Sequence, residues 1–188
     1  MTPADFLTVL RLVLVPLFLW AFLAGDYSKA LAFFAVAGFT DLVDGTVARL
    51  LKKQTRLGAI LDPIADKALM AATFACLWMA RIIPWWFFLL VIGRDLMIVG
   101  GLAYLQWRKI DAALKPYWTS KWATLFQIAT VVFGMTGFLK PAWQLLGWPL
   151  SDIMSFFLAA ATLLIAISGI QYFLRGIKIL QRHAQTTH

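Results

Sequence analysis

Apolar residues run through this chain in long blocks separated by short polar breaks. Six blocks, near 6–24, 30–51, 58–80, 84–107, 118–139 and 150–174, are each about as long as a membrane crossing. A hydrocarbon core about 30 Å thick takes roughly 20 apolar residues of helix. Backbone groups in lipid must be satisfied within the segment, and these runs are too long and too uniformly apolar for barrel strands, so each is predicted to be a helix. The breaks carry turn chemistry: Gly25-Asp26 after the first block, Pro84 opening the fourth, Lys115-Pro116 before the fifth and Lys140-Pro141 after it. With no internal repeat and no low-complexity linker, the expected fold is an all-α membrane protein, a six-transmembrane-helix bundle in which residues 1–188 form a single membrane domain.

Composition agrees: 62% of the 188 residues are hydrophobic and 14% charged, more apolar side chain than one soluble core buries. The net charge of +8 does not point to nucleic acid, because the basic residues gather on one side of the predicted membrane. With both termini cytoplasmic, the inner loops hold Arg49, Lys52, Lys53, Arg56, Arg108, Lys109, Lys115, Lys121, Arg175, Lys178 and Arg182; the opposite face has Lys29, Arg81 and Lys140. A multi-pass protein of a bacterial inner membrane is the expectation, its basic face meeting anionic lipid. Trp85, Trp86, Trp107, Trp118, Trp122, Trp143 and Trp148 fall near block ends, where they read as interfacial anchors. Arg11 interrupts the first block and no basic leader precedes it, so that block is expected to be an uncleaved span. Cys76, the single cysteine, reads as a small packing residue, and the tail histidines His183 and His188 as solvated.

All nine acidic residues are aspartates, and Asp41, Asp44, Asp62 and Asp66 lie within 26 positions, at the end of the second block and the start of the third. An ionised group in a membrane is costly, so such acids face the protein interior and serve a function. Spacings of three and four put each pair on one helix face, and the short turn between makes the two helices antiparallel neighbours. Four converging carboxylates repel unless cations join them, and oxygen-only ligation suits a hard ion, Mg²⁺ or Mn²⁺. Two such ions would form a clamp for phosphoryl displacement. Pairing with Arg49, Lys52, Lys53 or Lys67 would balance the charge but leaves the spacing unexplained. Gly45, Ala48 and Gly58 leave room for a ligand near the backbone, although each glycine alone also suits helix contact. Arg49 can offer a forked donor to phosphate oxygens. The expected active-site cavity therefore opens at the cytoplasmic side.

The segment DLVDGTVAR, eight residues, then GAILDPIAD resembles the signature of the CDP-alcohol phosphatidyltransferases, matching at Asp41, Asp44, Gly45, Ala48, Arg49, Gly58, Asp62 and Asp66. The six-block layout and the opening FLTVLRLVLVP extend the likeness over nearly the whole chain; Asp5, where relatives often have Asn, departs from it. The resemblance implies that the four aspartates bind one or two divalent ions engaging the donor pyrophosphate. It further implies that Gly45, Ala48 and Gly58 line the cytidine-diphosphate site with Arg49 on its phosphates, and that Asp66 takes the proton of the acceptor hydroxyl. A phosphatidyl group would pass from CDP-diacylglycerol to an alcohol with loss of CMP. Relatives are commonly homodimers, and the same is expected here by analogy.

The second half of the chain bears on the acceptor. GRDLMIVGGLAYLQWR and LKPYWTSKWATLFQ look like the cardiolipin synthases of eukaryotic type within this family. Phosphatidylglycerophosphate synthases share DPIADK but typically carry two further cations, where this chain has Leu102 and Ala123. Glycerol 3-phosphate is dianionic and needs several cationic donors, whereas the phosphatidylglycerol diester brings one charge. Phosphatidylglycerol is thus the expected acceptor, with Arg94 and Lys121 near its phosphate, and glycerol 3-phosphate the alternative. An Arg94–Asp95 structural pair competes with that role, although adjacent helix residues point in different directions. Intramembrane acids also mark ion pathways, but an ion-coupled transporter would show inverted halves and broken helices at mid-membrane, and here the acids crowd the first half.

Overall fold

The computed structural model describes the backbone of residues 3–51, 56–108, 110 and 117–186; the side chains at 3–8, 41–51, 56–64, 106 and 182–186 lie outside the described residues. The chain divides into two compact units, Met1–Ile83 with Met135–Pro141, and Pro84–Gly134 with Ala142–His188. In order, the elements are α1 (Pro3–Leu23), α2 (Tyr27–Leu51), α3 (Arg56–Met79), α4 (Trp85–Trp107), α5 (Trp118–Leu139), β1 (Gln144–Leu145), β2 (Trp148–Pro149) and α6 (Leu150–Thr186). Each predicted block overlaps one helix, and the structure is mostly helical.

In the first unit α1 packs against both α2 and α3. Gly25, at φ 79°, ends α1: its amide donates to the Phe22 carbonyl (3.0 Å) and the Asp26 amide to that of Ala21 (2.9 Å). These two bonds satisfy carbonyls that the last turn would otherwise leave open. Asp26 then caps α2, its Oδ1 accepting the Lys29 amide at 3.1 Å. The turn is so short that α2 must run back along α1. Buried Phe18, Phe22 and Phe34 join the two helices, with ring centroids 5.9 and 6.5 Å apart.

In the second unit α4 packs on α6. A 260 Å³ groove between them is lined by Met97, Gly101 and Leu105 from α4 and by Tyr172, Gly176 and Leu180 from α6. A second cavity pairs earlier residues of both, Leu89 to Met97 with Ile165 to Phe173, so the two helices run the same way. Phe157 of α6 meets Phe126 and Phe133 of α5 at 5.4 and 5.2 Å. The hydroxyls of Thr130 and Thr162 donate at 2.8 Å to the carbonyl four residues back, and Ser168 donates at 3.1 Å three back, so they need no partner on another helix.

Sequence patterning does not foresee two features. A two-stranded antiparallel hairpin joins α5 to α6, pairing Leu145 with Trp148. Its loop residues Leu146 and Gly147 both have positive φ, 54° and 81°, as a type I′ turn requires. The second is the reach of α6, which continues to Thr186. Among the described residues, three helices are long and apolar enough to cross a membrane, over Trp85–Leu105, Trp118–Leu139 and Leu150–Gln181, and α1 has a shorter apolar stretch, Val9–Leu23.

Candidate functional site

Asp41, Asp44, Gly45, Ala48 and Arg49 lie in α2, and Gly58, Asp62 and Asp66 in α3, both continuous helices, so the three- and four-residue spacings fall on helical backbone. Apart from Asp66, the side chains of these residues are outside the described residues. Their place in the unit follows from the helices. The C-terminal end of α2 returns to the N-terminal end of α1. α3 begins five residues after α2 ends, so it starts from the same end, and the bond between Arg11 of α1 and Asp66 joins its third turn to α1. The stretches carrying all four aspartates therefore gather at one end of the unit.

That bond is the best-defined feature of the site. Arg11 Nη1 donates to Asp66 Oδ1 at 2.6 Å; the arginine side chain is 0% exposed and the aspartate 43%. The guanidinium thus approaches from inside the helix pair, while the carboxylate stays within reach of a ligand. Charge-assisted bonds of this kind are strong and directional. Among the described residues no group of three or more metal-ligating side chains occurs, since three of the four aspartates lie outside them. The residue types themselves, four aspartates offering only oxygen donors, with Asp66 part-exposed, suit a hard divalent cation.

Arg94, Asp95 and Lys121 lie in the second unit. Arg94 Nη1 donates to Asp95 Oδ1 at 2.7 Å, so the adjacent pair does form: arginine is long enough to curl back to its neighbour, which a comparison of helix directions alone overlooks. Arg94 Nη2 also donates to Ser120 Oγ of α5, and its guanidinium lies 5.8 Å from the centre of the Tyr172 ring. Lys121 stands over Trp118 at 5.6 Å. Thr119 donates to Gln171 Oε1 at 2.6 Å, completing a polar seam between α5 and α6. Ala123 is buried and Leu102 lines the α4–α6 groove, so both uncharged positions sit in apolar packing.

The sequence model of the CDP-alcohol phosphatidyltransferases matches residues 1–167. This chain belongs to the CDP-alcohol phosphatidyltransferase family. One similar member, from Mycobacterium tuberculosis and named a probable phosphatidylglycerophosphate synthase, is 36% identical over 190 residues, covering 97% of this chain and 85% of its own. A cardiolipin synthase (CMP-forming)/mitochondrial hydrolase fusion protein of Schizosaccharomyces pombe is 38% identical over 143 residues, 68% of this chain and 24% of that one. The cardiolipin synthase (CMP-forming) of Rattus norvegicus is 34% identical over 146 residues, 69% of this chain and 48% of that one. The chain thus spans less than half the length of these two cardiolipin synthases.

Sequence reasoning assigned no role at the site to Arg11 in this phosphatidyltransferase-family chain. The signal was present, since a cation inside an apolar block needs a partner as much as the aspartates do. Its distance of 55 residues from Asp66 hid the pairing.

Proposed function

We propose that this protein transfers a phosphatidyl group from CDP-diacylglycerol to phosphatidylglycerol, giving cardiolipin and releasing CMP. The observation that carries the transfer chemistry is the pair of aspartate spacings on the unbroken helices α2 and α3, with Asp66 part-exposed beside a buried arginine. Asp41, Asp44, Asp62 and Asp66 would hold Mg²⁺ or Mn²⁺. When bound, the ion supplies charge stabilisation to the pyrophosphate as the phosphorus–oxygen bond to CMP breaks. Gly45, Ala48 and Gly58 admit the cytidine diphosphate, and Arg49 holds its phosphates. Asp66 accepts the proton of the acceptor hydroxyl as its oxygen bonds to the phosphorus bearing diacylglycerol. A carboxylate is a weak base, but that proton becomes acidic as the new bond forms. No covalent enzyme intermediate is needed.

The acceptor assignment rests on Leu102 and Ala123, uncharged where a dianionic substrate would call for cations. Arg94 and Lys121 would contact the single phosphate of phosphatidylglycerol. A second reading, phosphatidylglycerophosphate synthesis from glycerol 3-phosphate, is favoured by the near full-length match to the mycobacterial relative. The setting that suits either is a homodimer of six-span subunits, with the termini and a catalytic cavity on the cytoplasmic side of a bacterial inner membrane.

Purified protein supplied with CDP-diacylglycerol, Mg²⁺ and each acceptor in turn tests this. CMP release with phosphatidylglycerol is expected; release with glycerol 3-phosphate alone would establish the second reading. Asp66→Asn is expected to lower the rate by about 10²-fold or more, as loss of a general base does, with the elution profile of the folded protein kept. Full activity in that variant would remove Asp66 from the role of base.

A further inference from the structure

We infer that Arg11 is a positioning residue for the transfer reaction, holding the Asp66 carboxylate by one oxygen in the orientation in which it receives the acceptor proton. This rests on the phosphatidyl transfer proposed above and extends it to a helix outside the eight-residue signature.

Three observations lead to it. Arg11 is completely buried although α1 is otherwise strongly apolar, so its charge is kept at a cost that packing alone does not explain. An arginine whose purpose was only to tolerate burial could extend along its helix toward water. This one instead reaches across to α3 and bonds the one aspartate proposed as the base. The exposures of the partners differ sharply, 0% against 43%, as expected where a guanidinium supports from behind a carboxylate that works on its other side.

Orientation matters because proton transfer needs the acceptor oxygen within hydrogen-bond reach, and a misplacement of about 1 Å can cost about 100-fold in rate. A support acting only at that stage changes kcat and leaves ground-state binding of the donor nearly untouched. Its positive charge also opposes cation binding at the carboxylate it touches, so removing it should not weaken divalent metal binding. A purely structural link between α1 and α3 would behave differently, with metal binding, donor binding and thermal stability declining together.

The experiment compares the parent with Arg11→Met, Arg11→Lys and Asp66→Asn, all purified in the same detergent with CDP-diacylglycerol. It reads kcat and KM per folded molecule, the melting temperature, and Mn²⁺ affinity by electron paramagnetic resonance without substrate. For Arg11→Met, kcat is expected to fall about 10- to 100-fold while the donor KM stays within about threefold, with Mn²⁺ bound at least as tightly as by the parent. Arg11→Lys recovers part of the rate, because it restores the charge without the planar fork. Asp66→Asn weakens Mn²⁺ binding, the opposite direction.

A kcat for Arg11→Met within about twofold of the parent overturns the role. So does a joint collapse of Mn²⁺ affinity and melting temperature in both Arg11 variants. Where Arg11→Met does not fold, Arg11→Lys decides: reduced kcat with KM and Mn²⁺ binding kept supports the role, and parental kcat overturns it. A parent that releases no CMP with either alcohol overturns the transfer reading itself, whereas an active parent matched by its Arg11 variants overturns this inference alone.

Discussion

Asp26 serves two donors from one residue, the Lys29 amide at 3.1 Å and the Lys29 ammonium at 2.7 Å. Those bonds favour the ionised carboxyl and hold it below the ordinary aspartate range, the hydrogen bond from the Lys29 side chain contributing most. A carboxyl lowered on folding adds stability that is fully present above its unfolded value, near pH 4, and is lost as the pH falls through the folded value. Asp26→Asn keeps a capping oxygen but not the charge. The melting-temperature gap between parent and variant should therefore be small, present at pH 6 and narrowing as the pH falls through the lowered value of the carboxyl, and it should shrink with salt because the group is exposed. A gap that ignores pH would show that the capping geometry, not the charge, is at work. At the same scale, the signature aspartates were legible because charge in an apolar block is conspicuous. Arg11 was equally conspicuous, but nothing in one dimension names its partner. The Arg94–Asp95 pair was harder to read for another reason, since direction on the helix was weighed without the length of the side chain.

The helix ends show where element boundaries come from. α3 closes as α1 does: the Arg81 amide donates to the Trp78 carbonyl and the Ile82 amide to that of Leu77, each at 2.9 Å. The residue in the left-handed position at this end is Arg81, φ 56°, where α1 has Gly25. A side chain there costs about 1 kcal/mol relative to glycine. Arg81→Gly should stabilise the protein by about 0.5–1 kcal/mol, read as a higher melting temperature with unchanged kcat, while Arg81→Ala, which keeps the Cβ, should bring no gain. The six helices were legible because apolar length is a strong signal. The hairpin was not, since strands of two residues have no period and Leu146-Gly147 lacks the Asn-Gly pair that usually announces such a turn. The end of α6 lies past the predicted block because the charges at Arg175 and Lys178 limit that block, whereas Ile177, Ile179 and Leu180 between and after them carry the apolar stretch to Gln181 and the helix goes on to Thr186.

For the whole molecule, the proposed topology puts the hairpin tip and the end of α6 on opposite sides of the membrane. Leu146 is 93% exposed, Gln181 is exposed, and the one native cysteine, Cys76, is 2% exposed. Single cysteines at 146 and 181 can therefore be labelled over a quiet background. In intact cells an impermeant maleimide should modify Leu146→Cys, and Gln181→Cys only after permeabilisation; the reverse pattern would invert the orientation.

The Arg11–Asp66 bond also bears on how such a chain is made. Its two members are 55 residues apart, about 3–11 s of synthesis at 5–20 residues per second. In the proposed six-span arrangement, α1 would reach the membrane before Asp66 is translated, carrying a cation that faces an insertion penalty of about 2.5–3.5 kcal/mol. In that arrangement the first helix would gain its bond to Asp66 only once the third has arrived, so the final packing of α1 would wait on the synthesis of α3.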